Sequence, residues 1–124
     1  MRSSLLFAAL AFCLAVGASA RAEGDAANGA KLFKQKCGIC HSAEAGKNKI
    51  GPSLFGVVGR KAGSVADYSY SEAMRNSGLT WDAATLDVYL VSPRNKVSGT
   101  KMTFAGLPKE SDRADVISYL STLK

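Results

Sequence analysis

The chain has 124 residues, with 16 basic against 10 acidic side chains and a formal net charge of +6. A basic balance of this kind favours acidic partners and says nothing about the fold. Three cysteines, one of them in the apolar N-terminal stretch, are too few for the disulfide framework that stabilises many small exported proteins.

The N-terminus matches a secretory signal sequence. Arg2 precedes an apolar run over residues 5–16, and the small residues ASA follow at 18–20. The run is well short of the roughly 20 residues that a membrane-spanning helix needs, so stable membrane insertion is not expected. We expect 1–20 to be a cleaved signal peptide and 21–124 to be a single domain, whose charge is about +5 once Arg2 is removed.

A helix is predicted at each end of this domain, and another is predicted between them after Asp82. The segment 25–36 has apolar residues at helical spacing. Asp82 is a suitable N-cap for a helix that ends before Pro93. From about Ser111, apolar residues again recur at helical spacing up to the C-terminus.

The middle of the domain is predicted to be mostly loop. Residues 51–67 contain four glycines and a proline and have neither helical nor alternating periodicity. Ser69 and Glu72 have the spacing of a capping box for a helix that ends near Gly78. No segment predicts a pair of strands. The expected fold is all-α, with about four helices and long loops, and its thin core needs something else to fill it.

The stretch CGICH contains Cys37, Cys40 and His41, which is the single histidine of the chain. Structural zinc needs four nitrogen or sulfur ligands, so a zinc site here would need an unusual fourth ligand. A thioredoxin-like redox pair is expected beside a strand-helix-strand pattern, which the sequence does not predict. Covalent c-type haem uses two cysteines for the vinyl groups and the adjacent histidine for the iron. The spacing favours haem over the zinc and redox alternatives.

The second axial ligand of a haem iron cannot be a histidine in this chain. Methionine is the obvious alternative donor, and histidine-methionine ligation is typical of cytochromes c. Met74 lies in a predicted helix, where packing in the core is its expected role. Met102 lies in a loop between two prolines, far along the chain from His41. We therefore predict Met102 as the second ligand.

Four stretches in sequence order resemble the small class I cytochromes c of mitochondria and the bacterial periplasm: GDAANGAKLFKQKC, GPSLFGVVGRKAG, TKMTFAG and DVISYL. The resemblance covers essentially the whole predicted domain. It implies the small cytochrome c fold, with about four helices and long loops wrapped around one covalent haem c.

The resemblance implies roles for individual residues. Cys37 and Cys40 would carry the thioether bonds, His41 and Met102 would bind the iron, and the Pro52 carbonyl would accept the other ring proton of His41. The remaining implied contacts are Arg60, Tyr70, Trp81 and Thr100 at the haem propionates and Tyr89 near the Met102 sulfur.

The resemblance also bears on residues away from the iron. Gly29, Phe33 and Tyr119 would form the contact between the terminal helices, where glycine permits close backbone approach. Met74 stands where mitochondrial relatives have an asparagine, and Asn48 replaces a second histidine found in many relatives.

An iron with both axial positions filled has no open site for a substrate, so the implied function is exchange of single electrons rather than enzyme catalysis. The resemblance implies a monomeric periplasmic carrier that docks on acidic surfaces of membrane or periplasmic redox proteins. Its donor would be a quinol-oxidising cytochrome bc complex, and its acceptor a terminal oxidase, photosynthetic reaction centre or periplasmic reductase. The basic residues that match positions around the haem edge are Lys31, Lys36, Lys49, Arg94, Lys101 and Lys109.

Three other functions fit the sequence less well. A haem peroxidase needs a vacant distal position and usually a distal acid-base residue, and the chain has no second histidine. A gas sensor would release Met102 on binding its ligand, and no effector domain accompanies the predicted one. Nucleic-acid binding could follow from the basic charge, but no recognised reading element is present and export argues against it.

Overall fold

The computed structural model describes residues 24–124, which form five helices. We number them α1 (Ala26–Lys36), α2 (Glu72–Arg75), α3 (Ala83–Val91), α4 (Pro93–Lys96) and α5 (Glu110–Ser121). In this part of the chain the β-type pairing is limited to one isolated antiparallel bridge, between Lys61 and Thr80. The predicted all-α class is confirmed, with one helix more than expected. The predicted signal peptide lies outside the described residues.

The N-terminal caps of α1 and α3 are formed by aspartates. The Asp25 carboxylate accepts hydrogen bonds from the backbone N–H groups of Ala27 and Asn28, at 2.9 and 3.1 Å. The Asp82 carboxylate accepts one from the N–H of Thr85 at 2.7 Å. These contacts satisfy N–H groups that have no partner within the helix. The prediction of a helix that starts after Asp82 and ends before Pro93 is therefore confirmed.

Helix α2 is shorter than predicted, and its predicted cap is wrong. Ser71, not Ser69, directly precedes the first helical residue, and its hydroxyl accepts the N–H of Met74 at 3.1 Å. The helix ends at Arg75 rather than near Gly78. Gly78 has φ +68°, a left-handed conformation that glycine adopts without strain. A right-handed helix cannot include a residue in this conformation, so α2 could not extend through Gly78.

Helix α4 was not predicted, because Pro93 was interpreted only as the end of the preceding helix. Proline is also suited to the first turn of a helix, where its missing N–H is not needed. Here Pro93 begins α4, and its carbonyl accepts the N–H of Val97 at 2.9 Å. Helices α3 and α4 are thus separated by Ser92 alone.

The terminal helices α1 and α5 cross in close contact at Gly29. A Cβ atom at Gly29 would lie 1.9 Å from the carbonyl oxygen of Asp115, so no larger residue fits without a shift of the helices. The rings of Phe33 and Tyr119 pack beside this crossing, with centroids 5.3 Å apart. The Asp115 carboxylate accepts the side-chain amide of Asn28 and the backbone N–H of Asp25, both at 2.7 Å. These hydrogen bonds lower the pKa of Asp115.

Long connections complete the fold around this helical pair. The stretch from 38 to 71 contains no helix and turns at Gly56, Gly59 and Gly63, which all have positive φ. The predicted loop over 51–67 is therefore confirmed. Within residues 24–124, no helix combines the length and the apolar character that crossing a membrane requires.

Candidate functional site

A cavity of about 540 Å³ lies between the helices and the long loops, and its lining is mostly apolar. Its volume is in the usual range for sites that hold a small molecule or cofactor. The cavity brings together all ten residues that the sequence predicted for the site: Cys37, Cys40, His41, Pro52, Arg60, Tyr70, Trp81, Tyr89, Thr100 and Met102.

The CGICH stretch continues from α1 as a tight turn. The N–H groups of Cys40 and His41 both donate to the carbonyl of Cys37, at 3.0 and 2.9 Å. No disulfide joins the two cysteines. Burial, and to a smaller extent the charge of the neighbouring Cys40, raises the pKa of Cys37 to about 11. Redox-active cysteines have lowered pKa values instead. In residues 24–124 no three side chains among His, Cys, Asp and Glu form a potential metal cluster. These observations favour neither the redox pair nor zinc.

The His41 ring is oriented by the segment that follows Ile50. Its Nδ1 lies 2.7 Å from the carbonyl oxygen of Pro52, and a carbonyl can only accept, so Nδ1 carries the proton. Burial lowers the pKa of His41 despite this hydrogen bond, so the ring is neutral near pH 7. The lone pair of its Nε2 is then available to bind a metal. A Cβ atom on Gly51 would lie 2.4 Å from the ring, which shows how closely the backbone covers one side of it.

Arg60 and Trp81 are held together by the antiparallel contact of their chain segments. The N–H of Trp81 donates to the Arg60 carbonyl at 2.9 Å. Arg60 Nη1 donates to the carbonyls of Ser53 and Phe55, at 3.1 and 3.2 Å. Its Nε is buried and is the one such side-chain atom in the described range without a hydrogen-bond partner. A buried guanidinium N–H in a cavity wall needs an acceptor from whatever occupies the cavity.

Met102 is positioned by its own loop and by α3. Its backbone N–H donates to the Thr100 hydroxyl at 3.2 Å. The Tyr89 hydroxyl lies 3.7 Å from the Met102 sulfur and donates to it. Burial raises the pKa of Tyr89 to about 12, so this hydroxyl keeps its proton and remains a donor. The Tyr70 hydroxyl, on another wall, accepts the N–H of Val65 at 3.1 Å.

The two residues noted as departures from the family differ in their relation to the cavity, since Met74 lines it and Asn48 is not part of its lining. Met74 is half-buried and also lines it, so the cavity contains a second thioether. Asn48 joins two loops: its side-chain oxygen accepts the N–H of Ser53 at 2.9 Å, and its amide donates to the Asp67 carboxylate at 3.1 Å.

The mouth of the cavity combines apolar and basic side chains. Ile39 and Ile50 line the cavity and yet are 73% and 75% exposed. Lys36 and Lys101 lie at the same mouth. Lys101 donates to the Ser69 carbonyl, and its ammonium lies 4.6 Å from the centre of the Tyr68 ring. Among the other predicted basic positions, Lys49 donates to the Gly38 carbonyl, and Lys31, Arg94 and Lys109 do not line the cavity.

Several apolar lining residues were not predicted as part of the site. Two adjacent helical turns of α3 and two of α5 contribute Leu86, Leu90, Val116 and Leu120. Their helical spacing indicated buried faces, but the sequence did not show that these faces border a cavity. The loop residues Leu54, Val57 and Phe104 carry no periodic signal and could not have been identified from spacing.

The lining fits a haem. Apolar walls suit the porphyrin, two thiols and a neutral imidazole stand on one short turn, and the unpartnered N–H of Arg60 suits an acidic substituent such as a propionate. The cavity therefore has thiols for covalent attachment, an imidazole nitrogen for the iron and an N–H donor for the carboxylates.

Comparisons with known proteins agree with this geometry. Residues 26–124 match the family model described as cytochrome c. The chain is 59% identical over 99 residues to a cytochrome c of Theileria annulata, covering 79% of this chain and 85% of the relative. It is 53% identical over 102 residues to cytochrome c2 of Rhodoblastus acidophilus, covering 82% and 94%. The solved structure of cytochrome cH from Methylobacterium extorquens is 51% identical, with a TM-score of 0.75, and the match covers 80% of this chain and 99% of that one.

Replacing Gly51 tests how tightly the backbone covers His41. In Gly51→Ala the added methyl overlaps the imidazole, so we expect a displaced ring and destabilisation of about 1–3 kcal/mol. Thermal unfolding and the visible spectrum of the holoprotein measure the two effects. Gly46→Ala is the control for the spectrum, because a Cβ there meets nothing within 4 Å; its φ of +73°, unlike that of Gly51, adds a backbone strain of its own to the stability measurement. A Gly51→Ala protein with an unchanged spectrum and stability would contradict the close contact.

Proposed function

Because the chain belongs to the cytochrome c family, we propose that it shuttles single electrons between redox partners in the periplasm, with His41 and Met102 as the iron ligands. The observation that carries the proposal is the convergence of these two side chains and both cysteines on one apolar cavity.

The general function follows from family membership. The chain is a c-type cytochrome that carries electrons and is not an enzyme, and its haem c is attached through Cys37 and Cys40. The bound haem supplies an iron that takes up and releases one electron.

The first contribution of the protein is to orient the ligand from the CGICH turn. The Pro52 carbonyl holds the proton of His41 on Nδ1 and leaves Nε2 free for the iron. A hydrogen bond of this kind fixes the ring and raises its basicity. Gly51 keeps the backbone close enough to place that carbonyl.

The second contribution is to position the thioether. Thr100 fixes the backbone of Met102, and the Tyr89 hydroxyl donates to its sulfur. A hydrogen bond to the sulfur withdraws electron density from it and would weaken its donation to an oxidised iron. Tyr89 would therefore favour the reduced state. Within residues 24–124 no hydrogen bond reaches the Met74 sulfur, which supports Met102 as the ligand.

The third contribution is to separate the haem from water while leaving an exposed path for the electron. Trp81 and the leucines of α3 exclude water, and Arg60 offers a buried donor to a propionate. At the mouth, Ile39 and Ile50 supply an exposed apolar surface beside Lys36. An apolar centre with basic side chains beside it suits acidic partner surfaces.

We place the protein in the periplasm as a monomer, after cleavage of residues 1–20. The signal pattern of the sequence supports export, and cytochromes c2 of two bacteria are among the relatives. The intact mass of the exported protein tests this: residues 21–124 plus one haem are expected. A mass that retains 1–20 would exclude the cleavage, and a mass without haem would exclude covalent attachment.

Replacing the proposed thioether ligand should open the iron without releasing the haem. Met102→Ala retains the anchoring residues Cys37, Cys40 and His41, so the haem stays attached. We expect loss of the methionine-to-iron absorption band and a lower potential, within the range of about 0.8 V that axial ligands span. Met74→Ala is the matched control, since this thioether lines the same cavity. If Met74→Ala loses the band and Met102→Ala keeps it, the assignment is wrong.

The proposed partners are a quinol-oxidising cytochrome bc complex as donor and a terminal oxidase, photosynthetic reaction centre or periplasmic reductase as acceptor. Electrostatic steering raises association rates to about 10⁸–10⁹ M⁻¹s⁻¹ at low salt, against about 10⁵–10⁶ without it. Lys36 is the best probe of this steering, because it is exposed at the cavity mouth. Lys101 is a poorer one, because its ammonium is engaged with Ser69 and Tyr68.

Charge reversal at Lys36 should slow electron transfer to an oxidase and flatten its dependence on salt. Lys124→Glu changes the net charge equally, but Lys124 does not line the cavity, so its effect should be smaller. Stopped-flow rates for both variants over a salt series measure the difference. Equal rates and slopes would show that net charge alone governs association and would exclude docking at the cavity mouth.

A further inference from the structure

The loop that carries Met102 runs from α4 to α5, over residues 97–109, and its two halves are held in different ways. The first half is fixed by a turn, in which the N–H of Thr100 donates to the Val97 carbonyl at 3.1 Å, and by Lys101 on Ser69. In the second half, the backbone N–H groups of residues 103–106 make no hydrogen bond within the described chain. The return of the loop therefore depends on a few contacts after Ala105.

Those contacts fix the loop to the last turn of α3. The N–H of Leu107 donates to the Leu90 carbonyl at 2.6 Å. Gly106 lies so close to the helix that a Cβ atom would be 2.2 Å from the Val91 carbonyl oxygen. Gly106 also has φ +114°, which a larger side chain would adopt only with strain.

A buried arginine completes the anchor. Arg113, in the first turns of α5, is 8% exposed. Its Nη1 donates to the carbonyls of Leu107 and Pro108, at 3.0 and 2.9 Å, and its Nε donates to the Asp87 carboxylate at 2.8 Å. One guanidinium thus joins the end of the loop to both α5 and α3. A lysine could not reproduce this arrangement, because its ammonium lacks the planar fork of donors.

The position of Asp87 makes this anchor relevant to the sulfur of Met102. Asp87 and Tyr89 lie two residues apart on α3, and the Tyr89 hydroxyl is the donor to that sulfur. Arg113 therefore fixes the loop to α3, the same helix whose Tyr89 hydroxyl donates to the Met102 sulfur. We propose that Arg113 is a positioning residue for Met102. By donating to the carbonyls of Leu107 and Pro108, Arg113 holds the Met102 loop closed over the cavity.

The inference rests on the proposed ligation by Met102, and its test separates the two. In the ferric holoprotein, imidazole binds when Met102 leaves the iron, so its affinity reports how firmly the loop is closed. The loss of one hydrogen bond from a charged donor changes an equilibrium constant by about tenfold or more. We expect Arg113→Lys to bind imidazole about tenfold more tightly than the native protein and to exchange the Leu107 amide hydrogen faster.

Ser111→Ala is the matched control, because Ser111 is exposed on the same turn of α5. It should leave both imidazole affinity and Leu107 exchange unchanged. If Arg113→Lys lowers the melting temperature while both readouts stay at native values, Arg113 has a purely structural role and the inference is wrong. If Arg113→Lys does not accumulate as holoprotein, Asp87→Asn removes the carboxylate that orients the guanidinium and should shift both readouts in the same direction, by less. Native values in that variant would also overturn the inference.

Met102→Ala identifies the failure of the underlying assignment. It should bind imidazole more tightly than any of these variants, because no thioether competes. Native affinity in Met102→Ala would refute ligation by Met102, whereas an effect in Met102→Ala with none in Arg113→Lys would refute the positioning role alone.

Discussion

The structure depends on the filling of its central cavity. Protein interiors are close-packed, and a residual cavity lowers stability by about 24 cal/mol per Å³. For a space of about 540 Å³ this is at most about 13 kcal/mol, an upper bound because the cavity opens to solvent. That figure is comparable with the whole stability of a domain, about 5–15 kcal/mol. A group that fills this cavity is therefore essential to the core, and the long loops pack around it.

This dependence explains how the polar contacts are distributed. The crossing of α1 and α5 at Gly29 is closed by backbone contact and by the hydrogen bonds of Asp115, while Val116 and Leu120 of α5 border the cavity. The loops are held by turns, by backbone hydrogen bonds to distant segments such as that of Gly59 N–H to the Trp81 carbonyl, and by single side chains at defined places. Asn48 joins two loops near Pro52, and Arg113 holds the return of the Met102 loop. Both contacts fix loop segments that neighbour the proposed ligands His41 and Met102.

The sequence predicted what depends on local chemistry. Helical spacing located α1, the cap Asp82 and the following Pro93 located α3, and the CGICH spacing indicated the haem attachment. It failed where two local signals competed: Ser69 and Ser71 are both suitable caps, and the helix begins after Ser71 because that hydroxyl reaches the Met74 N–H. It also failed where partners lie far apart in the chain. Nothing in the sequence indicated that Arg113 contacts Asp87, because such a pairing arises only when α3 and α5 pack together.

The central claim is that the cavity holds a haem whose iron is bound by Met102 rather than by the second thioether, Met74. A proton-carbon NMR spectrum of the reduced protein, with its methionine methyl groups labelled and assigned, tests this directly. The ring current of a porphyrin shifts a methyl group far upfield when it lies over the ring centre. The account predicts that the methyl of Met102 is the furthest shifted of the methionine methyls. A spectrum in which the Met74 methyl occupies that position, or in which no methionine methyl is shifted, would contradict it.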